Sequence, residues 1–438
     1  MASPAALAPP LDNEDLLSLI LVRLPPLPSS FSSVSLVCKR WHRLVRDPGF
    51  LSRLRAFHRT PPVLGFFHNS PDSARFVAIQ GISGIRMASA VRDLRRDGAG
   101  GMWWFVDCRH GRSLLRSRDW ADLLVWDPIN GRCSLIIVPY QFRARASDLN
   151  AAVLCPSGAP GCGSIFSAVV VFTIGHNAFA CVYSSQTRAW GDLVSIPMPS
   201  LESELTEEPG ALVGDAMYWL LGESSILEFQ LGDQRFALVE RPLETFSVYK
   251  RNIRVVKSDR GVLGLAAVKN FSLHLWAWEA DHCGSAKWVL HRAIELRTLL
   301  ELPLTQPRVG SIPVWISGLC EDSGAVFLRT MVGMFVVWPE TMQFKMVTNN
   351  VLMKTVYPYA KFHFPGECGF TCLVEVMASG SSEYSTADQE TRQKMLSSEV
   401  LIDAESTTFC AQQEFLSCRQ RFKCLIHFME YTISWLFR

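Results

Sequence analysis

From Val63 onward the chain repeats one short pattern: an apolar strand, a turn, a second strand, and an aromatic residue near the turn. Leu124-Val125-Trp126-Asp127-Pro128-Ile129-Asn130-Gly131-Arg132 is one instance. Cys181-Val182-Tyr183-Ser184-Ser185-Gln186-Thr187-Arg188-Ala189-Trp190 has the same shape. Leu227-Glu228-Phe229 running into Asp233-Gln234-Arg235-Phe236 repeats it, as does Val336-Val337-Trp338-Pro339-Glu340-Thr341-Met342. Leu275-Trp276-Ala277-Trp278, with Trp288 beyond a longer turn, is a further instance. Neighbouring instances lie about 45 to 60 residues apart, near the spacing of propeller blades. A small twisted antiparallel sheet cannot bury both faces alone, and packing such sheets around an axis does it. Residues 61–365, at about 45 to 50 per blade, leave room for about six blades. A β-sandwich pair or an irregular β-domain is the competing arrangement.

Runs rich in β-prone residues, bounded by Gly, Pro, Asn and Asp, predict strands at 63–67, 75–80, 102–107, 122–126, 132–138, 165–174 and 179–183. The same signals predict strands at 216–221, 226–231, 261–268, 273–279, 325–330 and 334–338. Helical periodicity is scarce here, and 290–300 is the best case.

Residues 11–60 follow a different rhythm. Asp12 can cap a helix, and Glu14 and Asp15 suit the positive end of its dipole. Leu16, Ile20 and Leu24 form one apolar row and Leu17 and Leu21 an adjoining one, more than one packing face needs. Pro25, Pro26 and Pro28 end this helix. Ser29 or Ser30 can cap the next, in which Phe31, Val34, Val37, Trp41 and Leu44 keep helical spacing with a break near Val37. Fewer than about 60 residues make a marginal core. Such a module either packs on the rest of the chain or uses one apolar side to bind a partner. Trp41 accordingly either anchors the small core or fills a partner's pocket, and Leu24 and Pro25 are expected to serve mainly the partner.

The stretch resembles the F-box, in the form frequent in plant F-box proteins. The family pattern is Leu-Pro-x-x-Leu-x-x-x-Ile-Leu-x-Arg-Leu-Pro followed by Ser-x-Val-Cys-Lys-Arg-Trp-x-x-Leu. Leu16, Ile20, Leu21, Arg23, Leu24, Pro25, Ser35, Val37, Cys38, Lys39, Arg40, Trp41 and Leu44 fall on it. Asp12 stands where the family has a proline after the first leucine. The resemblance implies binding of a Skp-family adaptor, and through it a cullin, by Leu11, Leu16, Ile20, Leu21, Leu24, Pro25, Val37 and Trp41. Asp107-Cys108-Arg109-His110-Gly111-Arg112, Gly214-Asp215-Ala216-Met217-Tyr218-Trp219-Leu220, Glu321-Asp322-Ser323-Gly324-Ala325-Val326-Phe327-Leu328-Arg329-Thr330 and Val356-Tyr357-Pro358-Tyr359 resemble segments of F-box-associated β-domains. In that family this domain is inferred to hold a target protein.

The expected organisation is a disordered N-terminus (1–10), an all-α F-box module (11–60), an all-β propeller-like domain (61–365), and a linker and tail (366–438) that is partly helical or disordered. A polar helix at 388–405 and an apolar segment at 417–437 are expected in the tail. The 13 cysteines are scattered, many inside apolar runs, and residues 1–10 do not read as a secretory leader. Reduced thiols in the cytosol or nucleus follow. No apolar run reaches the ~18 residues of a membrane span. A net charge of +2 offers no overall field for nucleic acid or membrane. The 13 tryptophans suit blade packing better than base stacking. The basic stretch 39–59 suits a solvated helix face or an acidic partner.

Neither a catalytic centre nor a cofactor or metal site is expected. Cys108 and His110 sit at a strand end without an orienting acid in a recognisable place. Gly161-Cys162-Gly163 lacks the third glycine and following helix of a dinucleotide loop. Cys410, Cys418, Cys424 and His427 lack the close cysteine pairs of structural zinc sites. The function expected is therefore a non-catalytic substrate receptor of a Skp–cullin–F-box ubiquitin ligase. A β-propeller interaction scaffold outside the ubiquitin system, and a hydrolase or transferase with a site in a central channel, are the competing classes. The loops 141–150, 156–163 and 201–209 are expected target contacts.

Overall fold

In the computed structural model, four helices precede a ring of six sheets. The structure describes residues 11, 13–70, 74–79, 103–143, 148–155, 165–198, 204–222, 224–248, 250–280, 286–303, 313–362 and 374–377. The chain divides into two units, Met1–Gly380 and Ser381–Arg438, and all described residues lie in the first.

Helix α1 (Glu14–Val22) is capped by Asn13, whose side chain accepts from the backbone N–H groups of Asp15 and Leu16. The sequence places Asp12 at that cap; the helix begins one residue later, and Asn13 does the same work because it too carries a short side-chain acceptor. Helix α2 (Pro28–Ser35) starts from Leu27 without a side-chain cap. Pro28 thus opens the second helix and Ser29 and Ser30 lie within it, because proline at the first turn lacks only an N–H that would be orphaned anyway. Helix α3 (Lys39–Leu44) follows the expected break near Val37, and α4 (Pro48–His58) is capped by Asp47 through the Phe50 N–H at 2.7 Å. Leu17, Leu21, Phe31, Val34, Val45, Phe50 and Leu54 are fully buried, with the Phe31 and Phe50 rings edge to face.

Blade 1 joins β1 (Val63–Asn69) and β2 (Ala74–Ala78) to a strand from the far end of the sequence. Blade 2 is β3 (Trp104–Arg109), β4 (Arg112–Arg116), β5 (Asp122–Trp126) and β6 (Cys133–Ile137). Blade 3 is β7 (Leu149–Leu154), β8 (Ser167–Ile174), β9 (Asn177–Ser184) and β10 (Ala189–Trp190), with β11 (Val194–Pro197) also on β9. Blade 4 is β12 (Ala211–Val213), β13 (Ala216–Leu221), β14 (Ser225–Gln230) and β15 (Arg235–Glu240). Blade 5 is β16 (Ile253–Lys257), β17 (Leu263–Lys269), β18 (Ser272–Ala280) and β19 (Ala286–Glu295). Blade 6 is β20 (Val314–Cys320), β21 (Ala325–Thr330), β22 (Met334–Trp338) and β23 (Gln343–Thr348). Strand β24 (Val356–Ala360) then pairs antiparallel with β1, Phe66 opposite Pro358, and so closes the ring. Pro358 has no N–H to give and is tolerated because β24 is an edge strand.

An apolar cluster fills each interface between neighbouring blades. Strand periodicity explains how. Ala151 and Val153 face blade 2 while Ala152 and Leu154 face blade 4. Leu265 and Ala267 face blade 4 while Ala266 and Val268 face blade 6. A strand buried on both faces needs apolar residues at every position, which is why these strands read as unbroken apolar runs.

Two further expectations are corrected. The 290–300 helix is instead the end of β19, followed by a single helical turn, Leu296–Leu299. The presumed tail contributes β25 (Val374–Met377), parallel to β6. The expected N-terminal disorder, the tail helices and the 156–163 loop lie outside the described residues.

Candidate functional site

The helical module sorts its apolar residues onto two sides. Ile20, Leu21, Leu24 and Trp41 are buried within the module, Trp41 only 7% exposed. Leu16 is 44% exposed, Leu19 54% and Leu36 72%, and Phe57 is exposed as well. Leu16 and Leu19 are three residues apart on α1 and so share a face. Pro25 is exposed, and Leu11 and Val37 are half-buried. The Arg40 guanidinium donates to the Leu11 carbonyl, tying the segment before α1 to α3. Arg53 donates to Ser18 at 3.0 Å, and His58 pairs with the Val22 carbonyl at 2.9 Å, fixing α4 against α1. Of the residues named from the sequence, the structure leaves Leu16 and Pro25 open to a partner and puts Ile20, Leu21, Leu24 and Trp41 underneath. Leu19 and Leu36 are exposed apolar groups that the sequence reading passed over.

A polar cluster sits where the inner strands converge. The Arg109 guanidinium donates to both oxygens of Asp107 (2.8 and 3.0 Å), to Glu321 (3.2 Å) and to the Gly210 carbonyl (2.8 Å). Asp107 also accepts from the Val153 N–H, and Glu321 from the Leu212 N–H. Arg109 thus joins blades 2, 4 and 6, and Asp107 adds blade 3. Burial pushes the Glu321 carboxyl up to about 7, against the pull of Arg109. Arg254 pairs with Glu208 at 2.9 Å and donates to the Ile316 carbonyl. A cavity of about 570 Å³ runs beside these groups, lined by Arg109, Arg254, Trp276, Glu321 and Tyr357 among others. Asn69 and Asn252 clamp neighbouring blades, each amide both donating to and accepting from the backbone of the next inner strand.

Cys108 lies within β3, its Sγ 3.5 Å from Ser113 Oγ, and His110 lies in the following turn. Burial drives the Cys108 thiol well above its ordinary range, the reverse of what a nucleophilic thiolate requires. Asp322 acts on His110, an acid near the ring that sequence reasoning missed, but burial pushes the His110 pKa down. Among the described residues no three His, Cys, Asp or Glu side chains are grouped to hold a metal, and no helix is long and apolar enough to cross a membrane. Cys410, Cys418, Cys424 and His427 lie outside those residues, as do Gly161, Cys162 and Gly163.

The helical module matches an F-box-like family model over residues 14–56. The ring matches the model described as F-box protein AT5G49610-like, beta-propeller, over residues 104–360. An F-box followed by a six-bladed propeller defines an F-box protein of the receptor or adaptor class. The chain belongs to the F-box protein AT5G49610-like β-propeller family. A search of curated proteins finds no match.

Among solved structures, BBS1N in complex with ARL6DN is similar at 8% identity, TM-score 0.31, over 57% of this chain and 66% of that one. The extracellular domain of BT4673 from B. thetaiotaomicron is similar at 15% identity, TM-score 0.29, over 58% and 29%. YCF48 bound to D1 peptide is similar at 10% identity, TM-score 0.35, over 68% and 82%. The chain spans less than two thirds of the length of the first two.

Proposed function

We propose that this chain is the substrate-receptor subunit of a Skp–cullin–F-box ubiquitin ligase, its F-box binding the adaptor and its propeller a target protein. The observation that carries the reading is the exposure of Leu16, Leu19 and Leu36 on a module whose core is already filled. Exposed apolar groups on so small a module are costly in water and are satisfied by a partner's surface. Leu16 and Pro25 touch the adaptor directly, with Leu19 and Leu36 beside them. Leu11 and Val37 border the contact, and Ile20, Leu21, Leu24 and Trp41 set its shape from beneath.

The receptor is non-catalytic. It forms no thioester, and acceleration comes from holding target lysines near the ubiquitin-loaded enzyme at high effective concentration. The working boundaries are 11–60 for the F-box and 61–365 for the target-holding domain, within a cytosolic or nuclear protein. Co-purification with a recombinant Skp-family adaptor tests the reading. A chain that is folded by circular dichroism yet leaves the adaptor in the flow-through removes it in favour of the scaffold reading.

A further inference from the structure

Inner strands β20, β24 and β3 stand side by side in that order around the axis. Their C-terminal ends share one end of the propeller. Arg109 of β3 meets Glu321 just after β20, and Lys361, after β24, packs against Gly111 and holds Asp127 of blade 2. The first residues of these strands therefore lie at the opposite end. There Arg329, closing β21, lies over the Trp315 ring at 5.1 Å, and the two are register partners. Arg116, closing β4, lies over Trp120 at 4.8 Å and over its register partner Trp104 at 6.0 Å. The segment leading into β24 runs between these two stacks and carries exposed Lys354.

Apolar groups are exposed in the same arc: Met331 and Val332 after Arg329, then Val351 and Leu352 before Lys354, with Leu352 82% exposed. Among the described residues no carboxylate pairs with Arg329, Lys354 or Arg118. Of the exposed acids here, Asp119 is bound by Ser117 Oγ and the Ala121 N–H, and Glu207 acts on Arg116. Burial lowers the pKa of Arg329; it lowers that of Arg116 too, with Tyr357 and Glu207 offsetting part. Both are thus partly dehydrated cations. A guanidinium already parked on an aromatic ring loses little freedom when it takes a carboxylate.

Taking the propeller as the target-holding part, as proposed above, we infer that this arc binds an extended target peptide mixing acidic and apolar side chains. Its acids meet Arg329, Lys354 and Arg116, and its apolar groups meet Met331, Val351 and Leu352. Charge complementarity selects this occupant: a basic segment would face unpaired cations, and a purely acidic one would leave the apolar groups in water.

The test is fluorescence anisotropy on the full chain with a fluorescein-labelled peptide of alternating glutamate and leucine. Three controls replace glutamate by lysine, replace leucine by serine, or substitute an oligouridylate. The account expects the glutamate–leucine peptide to bind at least about tenfold more tightly than each control. It also expects Lys354→Gln and Leu352→Ser, both at exposed positions, to weaken binding several-fold with an unchanged thermal transition. Arg329→Gln should weaken it further. Equal binding of the lysine or serine peptide, tighter binding of the oligouridylate, or unchanged affinity in Lys354→Gln and Leu352→Ser would overturn it. The same variants are assayed for adaptor binding: loss of adaptor binding by the wild-type chain tells against the receptor reading, whereas loss of peptide selectivity alone tells against this arc.

Discussion

Arg109 and Glu321 are 212 residues apart in sequence and meet at 3.2 Å beside the propeller axis. The same guanidinium satisfies Asp107 and the Gly210 carbonyl, so one side chain is the shared partner of buried groups from several blades. Replacing it by methionine keeps most of the volume and removes the charge. Arg109→Met should then cost about 3–5 kcal/mol, because the buried Asp107 and the half-buried Glu321 lose their cation. Urea unfolding followed by tryptophan fluorescence measures this. A cost under about 1 kcal/mol would show that the cluster contributes little.

Two of the carboxylates that bind cations across the ring, Glu321 and Asp127, respond to pH with opposite signs. Glu321 is raised by burial from 4.5 to about 7. The folded chain therefore holds its proton more tightly than the unfolded chain. Stabilisation from this group is full below pH 4.5 and is lost as pH rises through 7. Asp127 is lowered: burial alone would raise it, but the Lys361 ammonium at 2.7 Å more than offsets that. Its contribution is present above its ordinary value of 3.8 and is lost on acidification through the lower folded value. Thermal melts from pH 5 to 8 should show the Glu321 slope in the wild-type chain and a flatter one in Glu321→Gln. Lys361→Met should lower stability at neutral pH and flatten the loss on acidification, because burial then raises the Asp127 carboxyl without the ammonium to offset it. A Glu321→Gln slope equal to wild type would remove the assignment.

Trp41 and the Leu16–Leu19 pair are expected to separate folding from docking. Trp41 is buried, so Trp41→Ala should cost about 3–5 kcal/mol and melt the helical module. Leu16→Ser with Leu19→Ser removes exposed groups and should change stability by no more than about 0.5 kcal/mol. Hydrogen exchange over α1 to α4 reports both. Leu24, which the sequence assigns mainly to the partner, is buried too, so Leu24→Ala should behave as Trp41→Ala does.

Gly318 shows how closely two inner strands approach. A Cβ there would sit 2.4 Å from the Val356 carbonyl oxygen of β24, at a point where the β20–β21 register shifts. Gly318→Ala should cost about 1–3 kcal/mol and lower the melting temperature, since the obstacle is backbone. An unchanged melt would mean that β20 and β24 can separate freely.

The helical module, its break near Val37 and the blade repeat were legible because their signals are local. Unbroken apolar runs marked β5, β8 and β13, and proline placement marked the end of α1. Strand β19 was read as helix for an identifiable reason. It pairs with β18 through a register shift, Leu275 opposite Arg292 and Trp276 opposite Leu290, leaving His291 as the extra residue. A bulge breaks the alternation of a strand, and the apolar residues on either side then fall at helix-like spacing. Leu19 was missed because it lies outside both apolar rows of α1, and rows identify what packs, not what is left over. The axial cluster was beyond local pattern. Asp107 and Glu321 were noticed only as segments resembling the family, and nothing near either residue tells that Arg109 joins them.

The most direct measurement is calorimetric titration of a recombinant Skp-family adaptor into the full chain, wild type and Leu16→Asp with Leu19→Asp. The account predicts saturable binding to the wild-type chain with micromolar or tighter affinity. It predicts at least about a hundredfold loss in the double variant with the fold intact, the loss of about 2.7 kcal/mol expected of an interface centre. Equal affinity in the two proteins, or no binding to a folded wild-type chain, would contradict it.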